Sequence, residues 1–249
     1  MGYETILYAV DERIATITLN RPDKRNAYLP QMGEDVVAAF RAARDDAGVR
    51  AVILTGAGQG FCAGVDLDAL KAMQAGESTG KGAKLGEEEF VTSFPTELLA
   101  FPKPVIAAVN GAAIGVGVTM ILPCDIRIAS DRAKLGVPFT KLGILPGLGS
   151  SYLLPKLVGL ARAQELVLTS RVIEAPEALA IGLVSRVVPG EALLATAREI
   201  AAQTVACDPD SLAIAKRTLH AGAAATMAEA IQNERAANVE LRERKARRQ

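Results

Sequence analysis

Hydrophobic and polar positions alternate most regularly at the start of the chain. Over residues 3–19 the two classes alternate around the polar run Asp11-Glu12-Arg13, which predicts a β-hairpin. Hydrophobic residues then recur at helical spacing over residues 30–47, and an apolar run at residues 49–55 predicts a buried strand. The first part of the chain is therefore predicted to form a hairpin, a helix and a strand.

The middle of the chain continues with short apolar segments separated by helical patterns. Strands are predicted at residues 104–109, 124–129, 134–137 and 183–188, and helices at residues 67–73, 87–100 and 118–122. Residues 75–86 are rich in glycine and polar residues, which predicts a mobile surface loop. Short strands that alternate with helices require crossover connections, so the pattern favours the α/β class.

The last part of the chain differs from the rest because every segment after residue 191 has helical spacing. Helices are predicted at residues 191–206, 209–221 and 226–247. Such a helical tail either covers its own core or forms an oligomer interface. We therefore divide the chain into a core over residues 1–190 and a C-terminal helical region over residues 191–249.

Two glycine-rich segments are the strongest indication of chemistry. Residues 56–67 (GAGQGFCAGVDL) and 110–117 (NGAAIGVG) each follow a predicted strand and lead into a predicted helix. Glycines just before a helix cost helix stability, and a close approach of the backbone to a ligand or to another chain would explain that cost. Two such junctions can place two backbone N–H groups at one point, where they can hold a carbonyl oxygen on which negative charge develops.

The first junction also has a superficial likeness to nucleotide-binding motifs. Its glycines at positions 56, 58 and 60 form G-x-G-x-G, so the third glycine is misplaced for a dinucleotide fingerprint. No G-K-[ST] follows that would make it a phosphate-binding P-loop. A simple tight turn that needs positive φ remains the alternative.

Composition narrows the functional classes further. The chain has 249 residues, of which 50% are hydrophobic, and 28 basic residues balance 28 acidic ones, so nothing suggests nucleic acid or an anionic membrane. No signal peptide and no membrane-spanning stretch is expected. The three cysteines lack metal-ligand spacing and fit a reducing cytoplasm, and a metal site would rest on one histidine.

That histidine, His220, could form a serine hydrolase site with Ser150 or Ser151. The chain lacks the G-x-S-x-G motif, and His220 lies in the helical tail with no obvious orienting acid. We therefore disfavour a hydrolase and expect His220 at a surface or an interface.

Several motifs together resemble the enoyl-CoA hydratase/isomerase (crotonase) superfamily. They are Asn20-Arg21-Pro22 with Arg25-Asn26-Ala27, residues 61–67 (FCAGVDL), Asn110-Gly111 with Gly115 and Gly117, Cys124-Asp125, residues 142–147 (LGILPG), and Ala178 to Gly182 with Leu183-Val184. They occur in family order across residues 18–190. The resemblance implies an α/β, ClpP/crotonase-like spiral of ββα units. It also implies a C-terminal helical region that forms a homotrimer or a dimer of trimers (a hexamer).

The resemblance also assigns roles to individual residues. It implies that the Val65 and Val116 N–H groups form an oxyanion hole, with valine at 116 narrowing the pocket. Coenzyme A, present as part of the thioester substrate and not as a permanent cofactor, is expected near Lys24, Arg25, Ala63, Asp66 and Leu67. The acyl pocket, expected to take an apolar group of medium length, is lined by Leu70, Met73, Phe90, Ile114, Phe139 and Leu142.

The family's catalytic acids are missing from this chain. By resemblance, the two glutamates of the hydratases correspond to Thr119 and Phe139, and the acid used by some isomerases and a dehalogenase corresponds to Gly147. A positioned acid–base group contributes about 10²–10⁴-fold to a rate, so hydration should be very weak. Glu87, Glu88 or Glu89 could supply an acid instead, as could Asp66 or the substrate itself.

Two functional classes therefore remain open. One is an enzyme of fatty-acid degradation that acts on enoyl-CoA; residues 138–152 most resemble the Δ3-Δ2-enoyl-CoA isomerase branch, which favours proton transfer over addition of water. The other is a non-catalytic acyl-CoA carrier or sensor. The retained glycine junctions favour the first class, and the absent acids favour the second.

Overall fold

The structure is a computed structural model that describes residues 2–76 and 84–247. The surface loop predicted at residues 75–86 falls largely on residues 77–83, which lie outside the described residues. Within the described ranges, no helix is both long and apolar enough to cross a membrane.

The strands and helices follow the predicted alternation along the chain. The described strands are β1 (Ile6–Asp11), β2 (Ile14–Leu19), β3 (Ala51–Gly56), β4 (Gly60–Cys62), β5 (Val105–Val109), β6 (Ala112–Ile114), β7 (Ile126–Ser130), β8 (Lys134–Gly136), β9 (Val172–Glu174) and β10 (Arg186–Val188). The described helices are α1 (Pro30–Asp45), α2 (Leu67–Gln74), α3 (Glu89–Thr92), α4 (Phe94–Leu99), α5 (Val116–Thr119), α6 (Ser150–Val158), α7 (Leu160–Thr169), α8 (Ala175–Ala180), α9 (Leu193–Val205), α10 (Pro209–Gly222) and α11 (Met227–Ala246).

The predicted N-terminal hairpin is confirmed. Strands β1 and β2 pair antiparallel, with Asp11 opposite Ile14 at the closed end. The two residues between them, Glu12 and Arg13, have φ values of 48° and 67°. Two successive positive φ values give a turn whose twist matches that of the flanking strands, so the short loop fits the hairpin.

The strands form two sheets whose order shows the spiral. The larger sheet has the order β1-β2-β3-β5-β7-β10, and the smaller has the order β4-β6-β8-β9. From β3 to β8 the strands alternate between the sheets: β3, β5 and β7 lie in the larger sheet, and β4, β6 and β8 lie in the smaller one. Within each sheet, these neighbouring strands run parallel. The chain therefore winds forward by one strand per turn in both sheets, which confirms the predicted α/β spiral.

The central strands of the larger sheet are buried on both faces. In β3, Val52 and Leu54 belong to the main core, whereas Ala51 and Ile53 pack in a second cluster with the helix α9. Alternate residues of a strand point to opposite faces, so both faces of β3 are covered. This burial explains why the strand appears in the sequence as a continuous apolar run. The first helix of the C-terminal region thus covers the core of its own chain.

One local prediction was wrong, and several elements were not predicted. The helix predicted at residues 87–100 is divided into α3 and α4, because Ser93 leaves the helical region at φ −120° and Pro95 lies in the first turn of α4. Sequence analysis gave no prediction for α6, α7, β9 and α8. It also did not predict β4 and β6, which follow the two glycine-rich turns. Each has three residues, too few to show a period of two.

Candidate active site

The two glycine-rich junctions meet at one cavity of about 460 Å³. Its described walls include many residues expected to bind the thioester: Lys24, Ala63, Val65, Asp66, Leu67, Ile114, Val116, Phe139 and Leu142. Ala27, Gly64, Asp68, Lys71, Gly115, Pro138 and Ile144 complete the described walls. The spiral causes this meeting, because β4 and β6 pair in parallel and so end at the same edge of the smaller sheet.

Glycines permit an unusually close approach between the two junctions. A Cβ atom on Gly117 would lie 2.5 Å from the Cys62 carbonyl oxygen, and one on Gly111 would lie 2.0 Å from the Gln59 carbonyl oxygen. Both distances are far below an ordinary contact, so no side chain fits at either position. Contact between the two backbones, and not freedom of φ alone, therefore accounts for these glycines.

The backbone around Val65 is oriented by Tyr28. The Tyr28 N–H donates to the Gly64 carbonyl at 2.8 Å, and the Asp66 N–H donates to the Tyr28 carbonyl at 2.7 Å. These two bonds form a single parallel bridge between Tyr28 and Val65. In such a bridge the flanking residues face the partner, so the N–H of Val65 itself points to the opposite side.

The second candidate donor is the N–H of Val116, the first residue of α5. The first amides of a helix have no acceptor within the helix. The preceding N–H, that of Gly115, donates to the Gly136 carbonyl at 2.8 Å and so fixes the start of the helix. Val65 and Val116 line the same cavity, so this arrangement can bind a single carbonyl oxygen with two backbone donors.

Asp66 serves the local structure rather than acting as a free base. Its carboxylate forms an ion pair with Arg21 at 3.1 Å and accepts the Asp68 N–H at 3.1 Å, capping α2. Burial opposes ionisation of this carboxyl, but the bonds from Arg21 and from the backbone outweigh it and lower the pKa. A carboxylate with a lowered pKa is a weaker base, which disfavours Asp66 as the missing catalytic group.

Asn26 connects the loop that contains Lys24 and Arg25 to the first glycine-rich junction, a structural role that sequence analysis missed. Its side chain is fully buried, accepts the Arg21 N–H at 2.8 Å and donates to the carbonyls of Ala57 at 2.9 Å and Gly60 at 2.8 Å. Its φ of 55° lies in the left-handed region, which asparagine tolerates better than most residues. The Arg25-Asn26-Ala27 motif was the only signal of this role.

We predict that Asn26→Ala destabilises the protein by about 2–4 kcal/mol, because leaving a buried polar backbone group unsatisfied costs about 1–3 kcal/mol. The substitution removes a partner from the Arg21 N–H and from the carbonyls of Ala57 and Gly60, and the Gly60 carbonyl keeps only a longer bond from Asn110 at 3.2 Å. Urea denaturation measures the change. The control is Asn238→Ala, which removes a single exposed bond to the Glu234 carbonyl on α11. Equal midpoints for the two variants would contradict the prediction.

No carboxylate stands at positions 119, 139 and 147, which the sequence resemblance assigns to the family acids. The Thr119 side chain is completely buried, and its hydroxyl donates to the Val116 carbonyl at 3.4 Å. The Phe139 ring lies against the second junction, with its Cζ atom 3.6 Å from where a Gly115 Cβ would be. In the described part of the chain, the Cβ position of Gly147 has a single neighbour within 4 Å, a Val91 methyl at 3.9 Å. The acids among the described wall residues are Asp66 and Asp68.

The structure does not bring every predicted residue to the cavity. Arg25, Leu70, Met73 and Phe90 are not among the described residues that line it. Leu70 and Phe90 are buried, and Phe90 stacks between Tyr28 and Phe94 with ring centroids 5.1 Å and 5.9 Å away. The other predicted acyl-pocket residues, Ile114, Phe139 and Leu142, do line the cavity.

The three consecutive glutamates have different environments. Glu87 is exposed, and Glu89 is exposed and forms an ion pair with Arg41 at 2.9 Å. Glu88 is buried, with 1% of its surface exposed. None of the three is among the described residues of the cavity wall. The structure therefore leaves Glu88 as the inward-facing member of this run.

The hydrolase alternative gains no support from the structure. Ser150 and Ser151 line a cavity between the segment around Pro146 and the helices α6 and α7. His220 lines separate cavities beside α10. The described residues therefore do not bring these serines and the histidine to one pocket.

Comparison with known proteins gives a consistent result. The family described as enoyl-CoA hydratase/isomerase matches residues 9–249. A short-chain-enoyl-CoA hydratase of Clostridium acetobutylicum is 39% identical over 223 residues, covering 89% of this chain and 83% of the relative. The 1,2-epoxyphenylacetyl-CoA isomerase of Escherichia coli is 35% identical over 224 residues, covering 90% and 85%. The crystal structure of an enoyl-CoA hydratase from Polaromonas sp. has a TM-score of 0.86 at 30% identity, covering 94% and 90%.

Hydratases and an isomerase thus match at similar identity. The predicted family is confirmed, but these comparisons do not select its Δ3-Δ2-enoyl-CoA isomerase branch.

Proposed function

The chain belongs to the enoyl-CoA hydratase/isomerase family, and we propose that it binds enoyl-CoA thioesters in the cavity between its two glycine-rich junctions. The thioester oxygen accepts hydrogen bonds from the Val65 and Val116 N–H groups. The observation that carries this proposal is the bridge from Tyr28, which directs the Val65 N–H away from Tyr28 while Val65 lines the cavity. Two fixed donors stabilise the charge that develops on the oxygen when a neighbouring carbon loses a proton.

Proton transfer is favoured over addition of water. Hydration in this family needs two acids, and the proposed positions hold Thr119, whose hydroxyl is bonded to a carbonyl, and the ring of Phe139. Isomerisation of a 3-enoyl to a 2-enoyl thioester needs a stabilised enolate and a single proton carrier. The cavity supports the first requirement through its backbone donors.

The charges at the cavity mouth support binding of coenzyme A. Lys24 and Lys71 are exposed and line the cavity, and exposed Arg25 is adjacent to Lys24. Cationic side chains form charge-assisted hydrogen bonds with phosphate oxygens. We therefore assign the adenine and pyrophosphate portion to the residues near Lys24, Arg25, Ala63, Asp66 and Leu67.

The second candidate is a carrier or sensor that binds acyl-CoA without turnover. The absence of an acid at positions 119, 139 and 147 favours it, together with the ion pair that occupies Asp66. Both candidates use the same thioester site, so only measured turnover distinguishes them.

A panel of 2-enoyl- and 3-enoyl-CoA thioesters of short, medium and long chain tests the proposal. Absorbance of the enoyl group and product mass are followed together at high protein concentration. We expect loss of a 3-enoyl substrate and gain of its conjugated isomer, with very slow addition of water. Rapid hydration would overturn the proposed chemistry, and binding without any turnover would favour the carrier.

We further propose that residues 191–249 assemble the protein into a homotrimer or a dimer of trimers. Large apolar side chains on the last two helices support this, because Leu219 is 76% exposed and Met227 is 79% exposed. Sedimentation equilibrium measures the assembly, and a monomer at micromolar concentration would contradict it.

We also propose a cytoplasmic location, which is supported by Cys62, Cys124 and Cys207, because all three are free cysteines.

A further inference from the structure

Tyr28 and Glu88 form a buried polar pair directly behind the oxyanion-hole segment. The Tyr28 hydroxyl donates to Glu88 Oε1 at 2.5 Å, and each residue has 1% of its surface exposed. The other carboxylate oxygen of Glu88 accepts the Gly86 N–H at 2.6 Å. The mechanism proposed above uses neither side chain, so the presence of this pair needs its own explanation.

Burial of such a pair carries a cost. Removing a carboxylate from water is unfavourable unless hydrogen bonds compensate, and an apolar pair of similar volume is often as stable. Burial, followed by the charge and the hydrogen bond of Glu88, raises the pKa of Tyr28, so its phenol remains protonated and donates at neutral pH. A protonated donor facing a carboxylate specifies one geometry, which an apolar contact would not.

The backbone of Tyr28 connects this pair to the oxyanion hole. Through its N–H and its carbonyl, Tyr28 holds Gly64 and Asp66, the two residues that flank Val65. Through its side chain, it holds Glu88, the N-cap residue that precedes α3. Tyr28 therefore holds the two residues beside the proposed oxyanion donor and also the residue that precedes α3.

The surrounding packing leaves Tyr28 little freedom. Its ring stacks on Phe90 with ring centroids 5.1 Å apart and an interplanar angle of 27°. A Cβ atom on Gly33 would lie 2.5 Å from the Tyr28 hydroxyl and 2.7 Å from the Phe90 Cβ atom, so this glycine of α1 makes room for the pair. The hydroxyl is thus held at Glu88 by α1 on one side and by α3 on the other.

We infer that Tyr28 and Glu88 are positioning residues whose hydrogen bond holds the Val65 N–H at the point where the thioester oxygen binds. This inference rests on the proposed oxyanion hole. It gives a reason for burying the Glu88 carboxylate, although Glu88 is not among the described residues that line the cavity.

The carbonyl stretching frequency of a bound enoyl-CoA, measured by infrared difference spectroscopy, tests the inference. Hydrogen bonds from the oxyanion hole lower this frequency, so the shift reports the donor geometry directly. In Tyr28→Phe and Glu88→Met we expect the frequency to return toward that of the free thioester. Glu88→Gln keeps an acceptor oxygen for Tyr28 and should retain most of the shift.

Turnover provides a second readout in the same variants. We expect kcat to fall by about 10- to 100-fold with little change in KM, because a displacement of about 1 Å can cost about 10²-fold. The double variant Tyr28→Phe with Glu88→Met removes both polar partners and leaves no unpaired charge. It therefore gives a folded protein for the measurement if either single variant does not fold.

The control variant is Asp35→Asn, which disturbs a different buried carboxylate. Asp35 accepts bonds from the N–H groups of Glu4 and Thr5 and from the Thr5 hydroxyl, and so ties the start of the chain to α1. It should lower stability and leave the carbonyl frequency unchanged.

The outcomes separate the inference from the proposed function. A shifted frequency in the unmodified protein that persists in Tyr28→Phe and in the double variant would overturn the positioning role alone. The absence of any shift on binding to the unmodified protein would instead overturn the oxyanion hole itself. A loss of shift that also occurs in Asp35→Asn would mean that general destabilisation, and not positioning, is responsible.

Discussion

Replacement of Gly117 by alanine should reduce turnover by about 10²-fold or more, the effect typical of displacing or losing one oxyanion-hole donor. The new Cβ atom would lie 2.5 Å from the Cys62 carbonyl oxygen and 3.0 Å from the Cys62 Cβ atom. The atom it meets is backbone, which cannot rotate away. The alanine must therefore separate β4, which precedes Val65, from α5, which begins at Val116.

The expected loss of turnover in Gly117→Ala is the opposite of what helix propensity alone predicts. Gly117 lies inside α5, where alanine is intrinsically more favourable than glycine by about 1 kcal/mol. If helix propensity decides the outcome, Gly117→Ala will be slightly more stable and fully active. If the contact between the two junctions decides it, turnover will be impaired.

The matched control is Gly222→Ala, at the end of α10. Among the residues that the structure describes, a Cβ atom on Gly222 meets no atom within 4 Å, so the same chemical change is made without a clash there. Turnover of the best substrate from the thioester panel is measured for both variants, with circular dichroism to confirm folding. Full activity in folded Gly117→Ala would show that the spacing of the two junctions does not control the reaction.

Introduction of glutamate at positions 119 and 139 should increase hydration of a 2-enoyl-CoA by about 10²-fold or more, because each positioned acid–base group contributes about 10²–10⁴-fold. The prediction rests on the proposal that Thr119 and Phe139 occupy the positions where hydratases of this family have glutamates. Phe139 already lines the cavity, so a carboxylate there would face the bound thioester.

The two substitutions differ in their cost. Thr119 has no exposed surface, so a glutamate at that position introduces a buried charge, and we expect a lower melting temperature. Phe139 is half-buried, and its replacement should be tolerated better. Both single variants are therefore measured beside the double variant, by thermal denaturation and by addition of water to the enoyl group.

Glutamine at both positions separates charge from shape. It matches the volume of glutamate but cannot transfer a proton at neutral pH. We expect the glutamine variant to hydrate no faster than the unmodified protein. Equal rates for the glutamate and glutamine variants would mean that access of water, and not the missing acids, limits hydration.

Much of the local structure follows from the sequence alone. The alternation on both sides of Asp11 encodes the hairpin, and the helical spacing of the tail encodes α9, α10 and α11. The strand period and the helix period both arise from local backbone geometry, so the sequence reveals them directly. The same holds for the α/β class, since buried strands separated by helices permit few connections. The family motifs then indicated the type of ligand.

The arrangement of the candidate site could be determined only by the tertiary structure. Strands β4 and β6 are too short to have a periodicity, and their pairing joins residues about fifty positions apart in the chain. The orientation of the Val65 N–H depends on Tyr28, and the environment of Tyr28 depends on Glu88, sixty residues further along. Sequence patterns record local periodicity and composition, whereas the direction of a backbone donor depends on which distant segment occupies its other side.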